Sequence, residues 1–383
     1  MIIIKLLVYG EIMVKTAKRL NSIELSQIRK MFEIADENAI NLGIGEPDFD
    51  IPENVKIAMK DALDAGFTHY TPNKGIIELR EEISKKLKKD NKLAIDPESI
   101  MVTVGASEAL YISAQGLFEK EDEVLIPDPG FLSYKACVDL AESKPIAIEG
   151  KIENEYKIKV EDVQEKISSK TKGMIMNSPS NPTGSVMDKE DIKGVADLAT
   201  DHDFMIISDE IYEKIIYGKK HYSPAQFSDN VIVINGFSKT YAMTGLRIAY
   251  LAGENEIVEE LLKVHQYNTA CASSISQVAA KEALAGPQKY VNTMVKEFER
   301  RKDLVATRLD DMGLKCTKLE GAFYAFPQVE NPMEYVQRAL ELGVITVPGN
   351  GFGENCKNNI RISYANSYEK IEEAMNRLET IKQ

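Results

Sequence analysis

A lysine set directly after a buried strand is a different chemical object from a lysine on a surface. The stretch Gly236–Tyr250 reads GFSKTYAMTGLRIAY and follows the apolar run Val231–Asn235. Residues just beyond the carboxyl ends of strands in an open α/β sheet face the ligand crevice. Lys239 in that position could turn its amine on an aldehyde and form a Schiff base. Ser238 and Arg247 flank it and could bind an anion, the guanidinium offering a fixed fork of donors that suits phosphate. The bland reading is that Lys239 is one surface lysine among many, and taken alone it would be.

The surrounding string decides differently. Gly236–Ala249 resembles, along its whole length, the lysine-attachment signature of class I aminotransferases. The similarity runs over essentially the whole chain from about Met13. It is nearest the archaeal aspartate and aromatic amino-acid aminotransferases whose active-site loop carries G-E-P-D-F, here Gly45–Phe49. The resemblance implies a fold type I enzyme that uses pyridoxal 5'-phosphate, bound covalently through Lys239, with Ser238 and Arg247 on the cofactor phosphate. It implies that the freed Lys239 amine then carries the substrate Cα proton.

Two upstream motifs bear on that expectation. Asn181-Pro182-Thr183-Gly184 follows one apolar run, and Ser208-Asp209-Glu210-Ile211-Tyr212 follows another. An electron-sink cofactor needs its pyridine nitrogen protonated, which a buried carboxylate partner secures, and Asp209 is the candidate. By resemblance, Asn181 and Tyr212 hold the ring oxygen. Separately, N-P-T-G is an ordinary turn and an Asp after a strand is commonly a helix cap. Their occurrence together, in the order Asn, Asp, Tyr, Lys, Arg, makes coincidence a poor explanation. Val104–Leu110 joins a strand to a helix, and its small residues allow backbone N–H groups to approach an anion. Alone it is a weak motif; by resemblance Ala106 and Ser107 bind the cofactor phosphate and Phe131 stacks on the ring.

The resemblance also assigns substrate contacts. Gly45 would offer its backbone N–H to the substrate carboxylate, with Phe131 and Asn181 beside it. Arg361 in Asn359–Tyr364 would grip that carboxylate with two parallel hydrogen bonds. Tyr70 resembles the tyrosine that reaches the phosphate of a neighbouring subunit, so a homodimer with shared sites is expected. The amino donor is left open between aspartate and an aromatic amino acid, with 2-oxoglutarate as acceptor. A side-chain carboxylate would need a second cation, for which Lys74 and Lys15 are candidates, although surface lysine is the simpler reading of each. The glycine-rich Val347–Gly353 precedes no suitable helix and is read as a loop near the substrate entrance. Alternatives are a cysteine-conjugate β-lyase or kynurenine aminotransferase-like enzyme, since the cofactor supports both chemistries, and a non-catalytic cofactor-binding regulator.

These residues need a sheet to hold them. Apolar runs at Ile100–Val104, Glu123–Ile126, Pro145–Ile148, Gly173–Asn177, Phe204–Ser208, Val231–Asn235 and Ile248–Ala252 alternate with helical patterns. That alternation predicts an α/β domain with a mostly parallel sheet flanked by helices. Helical stripes appear in Glu53–Ala65 and Asp191–Asp203, and around Leu79, Ile83 and Leu87. Past about residue 280 charged helices at Tyr290–Met312 and Pro332–Leu342, a strand at Ile360–Tyr364 and a last amphipathic helix predict a smaller α+β domain. Asn366 with Glu369 reads as that helix's capping box. The expected division is an N-terminal segment at 13–45 packing with the small domain, a large cofactor-binding domain at 46–280 and a small domain at 281–383.

Composition sets the outer limits. The chain has 383 residues and a formal net charge of −13, which argues against a nucleic-acid partner. Cys137, Cys271, Cys316 and Cys356 are far apart, as reduced thiols of a cytoplasmic protein would be. His69, His202, His221 and His265 form no metal-binding spacing, so no metal is expected. No stretch approaches the ~18–20 apolar residues needed to span a bilayer. Met1–Val8 lacks the flanks of a signal peptide, and Met13 is the favoured start.

Overall fold

The structure, a computed structural model, describes residues 16–23 and 38–381. Met13, Lys15 and the apolar Met1–Val8 run lie outside the described residues. The first described strand is β1 (Ile40–Asn41). Seven more follow: β2 (Ile100–Thr103), β3 (Glu123–Asp128), β4 (Lys144–Glu149), β5 (Thr171–Asn177), β6 (Met205–Asp209), β7 (Val231–Gly236) and β8 (Ala249–Ala252). These seven are the seven apolar runs of the sequence, with ends shifted by a residue or two. They form one sheet in the order β2-β8-β7-β6-β5-β3-β4, parallel except for β8, which runs antiparallel to β2 and β7.

Burial on both faces explains why the central runs are continuously apolar rather than alternating. Successive side chains point to opposite faces of a strand. Met174, Ile206 and Val233 accordingly meet Val55, Leu79, Ile83, Ile192 and Val195 on one face. Their neighbours Ile175, Ile207 and Ile234 meet Ala109, Ile112, Val138, Val258 and Leu261 on the other. Helices therefore clamp the sheet from both sides, and the carboxyl ends of β5, β6 and β7 are fixed side by side.

The remaining strands are β9 (Tyr324–Ala325), β10 (Val344–Ile345), β11 (Val347–Pro348) and β12 (Ile360–Ser363). β12 lies between β11 and β9, antiparallel to both, and β1 pairs parallel with β10. Helices Lys289–Asp311, Pro332–Glu341 and Tyr368–Leu378 pack a second core with these strands, in which Ile40 and Leu42 join Phe298, Phe323, Val336, Ile362 and Ile371.

The last helix corrects the sequence reading of its cap. Ser367, not Asn366, is the N-cap, its hydroxyl accepting from the Lys370 N–H. Asn366 is diverted: its amide donates to the Asn41 carbonyl and its oxygen accepts from the Ser367 N–H. Among the described residues no helix is long and apolar enough to cross a membrane.

Candidate active site

A cavity of about 340 Å³ opens where β5, β6 and β7 end, against β9 and β12. Gly45, Ala106, Ser107, Phe131, Asn181, Asp209, Tyr212, Ser238, Lys239, Arg247 and Arg361 all line it. Tyr70, expected at a neighbouring subunit's phosphate, does not, and neither does Lys74. Tyr70 stands on the surface, 89% exposed. A wider surface hollow of about 740 Å³ near Asp96 and Tyr222 gathers none of these groups.

β7 ends at Gly236, where any side chain would collide with Ala249, so the chain turns closely and carries Lys239 into the cavity. Its Nζ donates to the Gly45 carbonyl at 2.7 Å. Burial pulls the amine down to about 8, with Arg247 and Arg361 pushing the same way against Glu46 and Asp209. An amine so placed is neutral far more often near pH 7 than an exposed lysine, which suits a nucleophile or proton carrier.

Asp209 closes β6 and is buried. Its Oδ2 accepts from the Tyr134 hydroxyl at 2.8 Å and its Oδ1 from the Ile211 N–H at 3.3 Å. Burial raises the carboxyl to about 6, while the Tyr134 and Ile211 hydrogen bonds and Lys239 resist. A cation brought against it would restore the charge. One strand away, Asn177 ends β5 and ties the wall together. Its amide donates to the Asp209 carbonyl at 2.9 Å and its oxygen accepts from the Asn181 N–H at 2.8 Å.

At one end of the cavity the helix Gly105–Leu117 begins, with Ala106 and Ser107 in its first turn. Gly105 has φ +75°, and a Cβ there would run into the Arg247 guanidinium. The backbone thus approaches the arginine as only glycine permits. Glu108 Oε2 accepts from the Val104 N–H at 2.6 Å, which sets the entry to the helix. Backbone donors at a helix N-terminus beside Arg247 and Ser238 make a ready anion site.

At the other end Arg361, on β12, is 3% exposed. Nη1 donates to Asn181 Oδ1 at 2.9 Å and Nη2 to the Gly43 carbonyl at 2.6 Å. Nε has no partner, and among the described residues no carboxylate pairs with the guanidinium. The rings of Tyr324 and Phe352 flank it, with centroids 4.6 and 4.7 Å away. A buried cation without an anion is costly unless something supplies the charge.

These two ends, with the lysine and the aspartate between them, are joined by the comparisons. The sequence pattern of the family Aminotransferase class I and II matches residues 37–378. The chain belongs to this family. It is 52% identical over 368 residues to a probable aspartate aminotransferase of Methanocaldococcus jannaschii, covering 94% of this chain and 97% of that one. It is 43% identical over 377 residues to aromatic-amino-acid aminotransferase 2 of Thermococcus litoralis, covering 95% and 97%. The solved aspartate aminotransferase of Thermus thermophilus with maleate is 35% identical, with a TM-score of 0.91 over 95% of this chain and 98% of that one. This protein is an aminotransferase with the type I fold.

Several parts of this aminotransferase's cavity lay beyond the sequence reading. Tyr134 and Tyr324, which line it, and Asn177 and Phe352, which brace Asp209 and Arg361, were not singled out. Phe352 sits in the glycine-rich loop, which forms a short turn at Gly349–Phe352 beside the arginine. Lys74 corrects another expectation. It is a buried structural cation, its Nζ 2.5 Å from Glu259 Oε1 and 2.7 Å from the Glu98 carbonyl, and it lines no part of the cavity. Lys15 lies outside the described residues. The fold also brings one ligand atom from each of Glu210, Glu213 and His221 within 4.8 Å of one another. That cluster is already matched: Lys86 pairs with Glu213, and Glu210 accepts from Ser208, Ser223 and His221.

Proposed function

We propose that this aminotransferase binds pyridoxal 5'-phosphate in the cavity and transfers an amino group reversibly from aspartate or an aromatic L-amino acid to 2-oxoglutarate. The observation that carries the reading is a depressed lysine amine and a buried aspartate set between two anion sites, one at a helix N-terminus and one at an unpaired arginine. The donor set fits the cofactor. Ala106, Ser107, Ser238 and Arg247 would hold its phosphate, Asp209 its ring nitrogen, and Asn181 and Tyr212 its ring oxygen, with Phe131 against the ring face. When bound, the cofactor supplies an electron sink for the carbanion formed at the substrate's Cα.

The chain's own groups do the rest. Lys239 Nζ, drawn down to about 8, would hold the cofactor's aldehyde and, when free, would carry the proton at the substrate's Cα. Asp209, buried at the end of β6, would keep the cofactor's ring nitrogen protonated. Arg361 presents two N–H groups to the substrate carboxylate and thereby aligns Cα with the lysine, assisted by the backbone N–H of Gly45. The two candidate donors follow the names of the relatives, aspartate aminotransferases and an aromatic-amino-acid aminotransferase.

A homodimer with shared sites belongs to the same proposal. Ser107 and Arg247 line the cavity yet are exposed in the single chain. Tyr70 and Tyr267 are each 89% exposed, on segments joined where Asn73 donates to the Ala270 carbonyl. A second subunit would cover both, with Tyr70 reaching the neighbour's phosphate site. The division at 13–45, 46–280 and 281–383 is supported by the separate core around β9–β12 that Ile40 and Leu42 enter. A cytoplasmic location is supported by cysteines that all remain free.

The test is direct. Purified protein titrated with pyridoxal phosphate should turn yellow in proportion to subunits, and initial rates across aspartate, tyrosine, phenylalanine, alanine and kynurenine should single out the donor. Protein that stays colourless in excess cofactor would end the reading.

A further inference from the structure

Tyr324 is buried in the second core, on β9, yet its hydroxyl reaches the cavity. That hydroxyl lies 2.8 Å from the Tyr212 hydroxyl, and either can be the donor. Its ring lies 4.6 Å from the Arg361 guanidinium carbon. It also presses on the active-site loop, since a Cβ at Gly45 would collide with the Tyr324 oxygen. One side chain thus touches the group that faces the cofactor's ring oxygen, the group that grips the substrate carboxylate, and the glycine whose carbonyl holds Lys239.

We propose that Tyr324 is a positioning residue that couples the cofactor end of the cavity to the carboxylate end, its hydroxyl holding Tyr212 and its ring holding Arg361. This rests on the aminotransferase reading given above. The physical reason is the geometry of a two-link donor chain. If Tyr212 gives its single proton to an anionic ring oxygen, its bond to Tyr324 must run the other way, the Tyr324 hydroxyl donating to the Tyr212 lone pair. Hydrogen bonds in such a chain strengthen one another in a dry site. The ring, independently, confines the guanidinium from one face while Phe352 confines it from the other.

Because the hydroxyl and the ring do different things, two substitutions separate them. Tyr324→Phe removes the link to Tyr212 and keeps the ring beside Arg361. Tyr324→Leu removes both. The readouts are the pH at which bound pyridoxal phosphate changes colour, and the dissociation constant of a non-reacting dicarboxylate such as maleate, measured by calorimetry on cofactor-loaded protein.

Tyr324→Phe should raise the colour midpoint, because a ring oxygen with a weaker donor holds its proton to higher pH. It should leave maleate binding within about twofold. Tyr324→Leu should raise the midpoint similarly and also weaken maleate on the order of tenfold. A merely structural tyrosine would lower thermal stability in both variants and move neither readout, which would overturn the proposal. Equal weakening of maleate in both variants would overturn the division of labour between ring and hydroxyl. If wild-type protein takes up no cofactor, the reading itself falls and the proposal with it; if wild type binds and the variants match it, the proposal alone falls.

Discussion

The Tyr134 hydroxyl donates to Oδ2 of Asp209 at 2.8 Å, joining the helix Ser133–Leu140 to the end of β6. It is the nearest donor that this buried carboxylate has from a side chain. Oδ1 accepts only a longer bond, from the Ile211 N–H at 3.3 Å.

Tyr134 therefore helps to keep Asp209 charged. The carboxyl is raised to about 6 by burial even with the phenol in place. Cofactor uptake by the cofactor-free protein should accordingly weaken as pH falls through about 6, where the aspartate takes up a proton. Tyr134→Phe removes a group that lowers the carboxyl, so the midpoint should move to higher pH, by roughly one unit or less. Titrations with pyridoxal phosphate from pH 5 to 8 check this, and coincident midpoints would show that the phenol does not govern the charge.

Lys239 carries a signature in stability as well as in turnover. Its amine sits at about 8 when folded, against an ordinary lysine near ~10.4. Between those values the unfolded chain binds more protons than the folded one, so cofactor-free protein should gain stability as pH rises from 8 to 10.5. Relative to Lys239→Met, whose site does not titrate, the gain should be on the order of 2–3 kcal/mol after allowance for partial exposure. Denaturant unfolding at both pH values measures it. The same variant should show no turnover and none of the lysine-linked cofactor colour.

Arg361 should divide substrate from cofactor. It is buried, lacks a carboxylate partner and keeps an unbonded Nε. Arg361→Ala should weaken a carboxylate ligand by about 2–5 kcal/mol, the usual cost of truncating one member of a buried charge pair. Pyridoxal phosphate should bind within a fewfold of wild type, because the phosphate site lies at the other end of the cavity. Parallel titrations of maleate and cofactor decide the matter, and equal losses would remove the carboxylate role.

What could be read from the sequence follows the range of the interactions. The central strands were legible because burial on both faces leaves an unbroken apolar run, and Asp209 and Lys239 were legible because they stand at the ends of such runs. Tyr134 and Tyr324 were not. Their partners are 75 and 112 residues away along the chain, and nothing local in Ser133–Leu140 or Gly321–Ala325 announces a hydroxyl aimed into a cavity. Lys74 misled for a related reason: its partner Glu259 is 185 residues distant, so only the fold shows it to be buried and matched. The cap of the last helix failed locally, since Asn366 and Ser367 are both good capping residues and only the contact of Asn366 with Asn41 separates them.

A site shared between subunits would make a prediction that a single chain cannot satisfy. Tyr70 is exposed and outside its own cavity, while Ser107 and Arg247 are open to solvent at the phosphate end. If Tyr70 serves the neighbour's site, Tyr70→Ala should weaken cofactor binding, on the order of tenfold for a lost hydrogen bond to a charged group. Mixed with Lys239→Ala subunits, the outcome should differ from either parent. In a hybrid dimer the Tyr70→Ala subunit keeps Lys239 and borrows Tyr70 from its partner, so one site per dimer is whole. Co-refolded or co-expressed mixtures should therefore show tighter cofactor binding per intact lysine than Tyr70→Ala alone, with activity above the sum of the parents. Purely additive activity would place Tyr70 outside the neighbouring site.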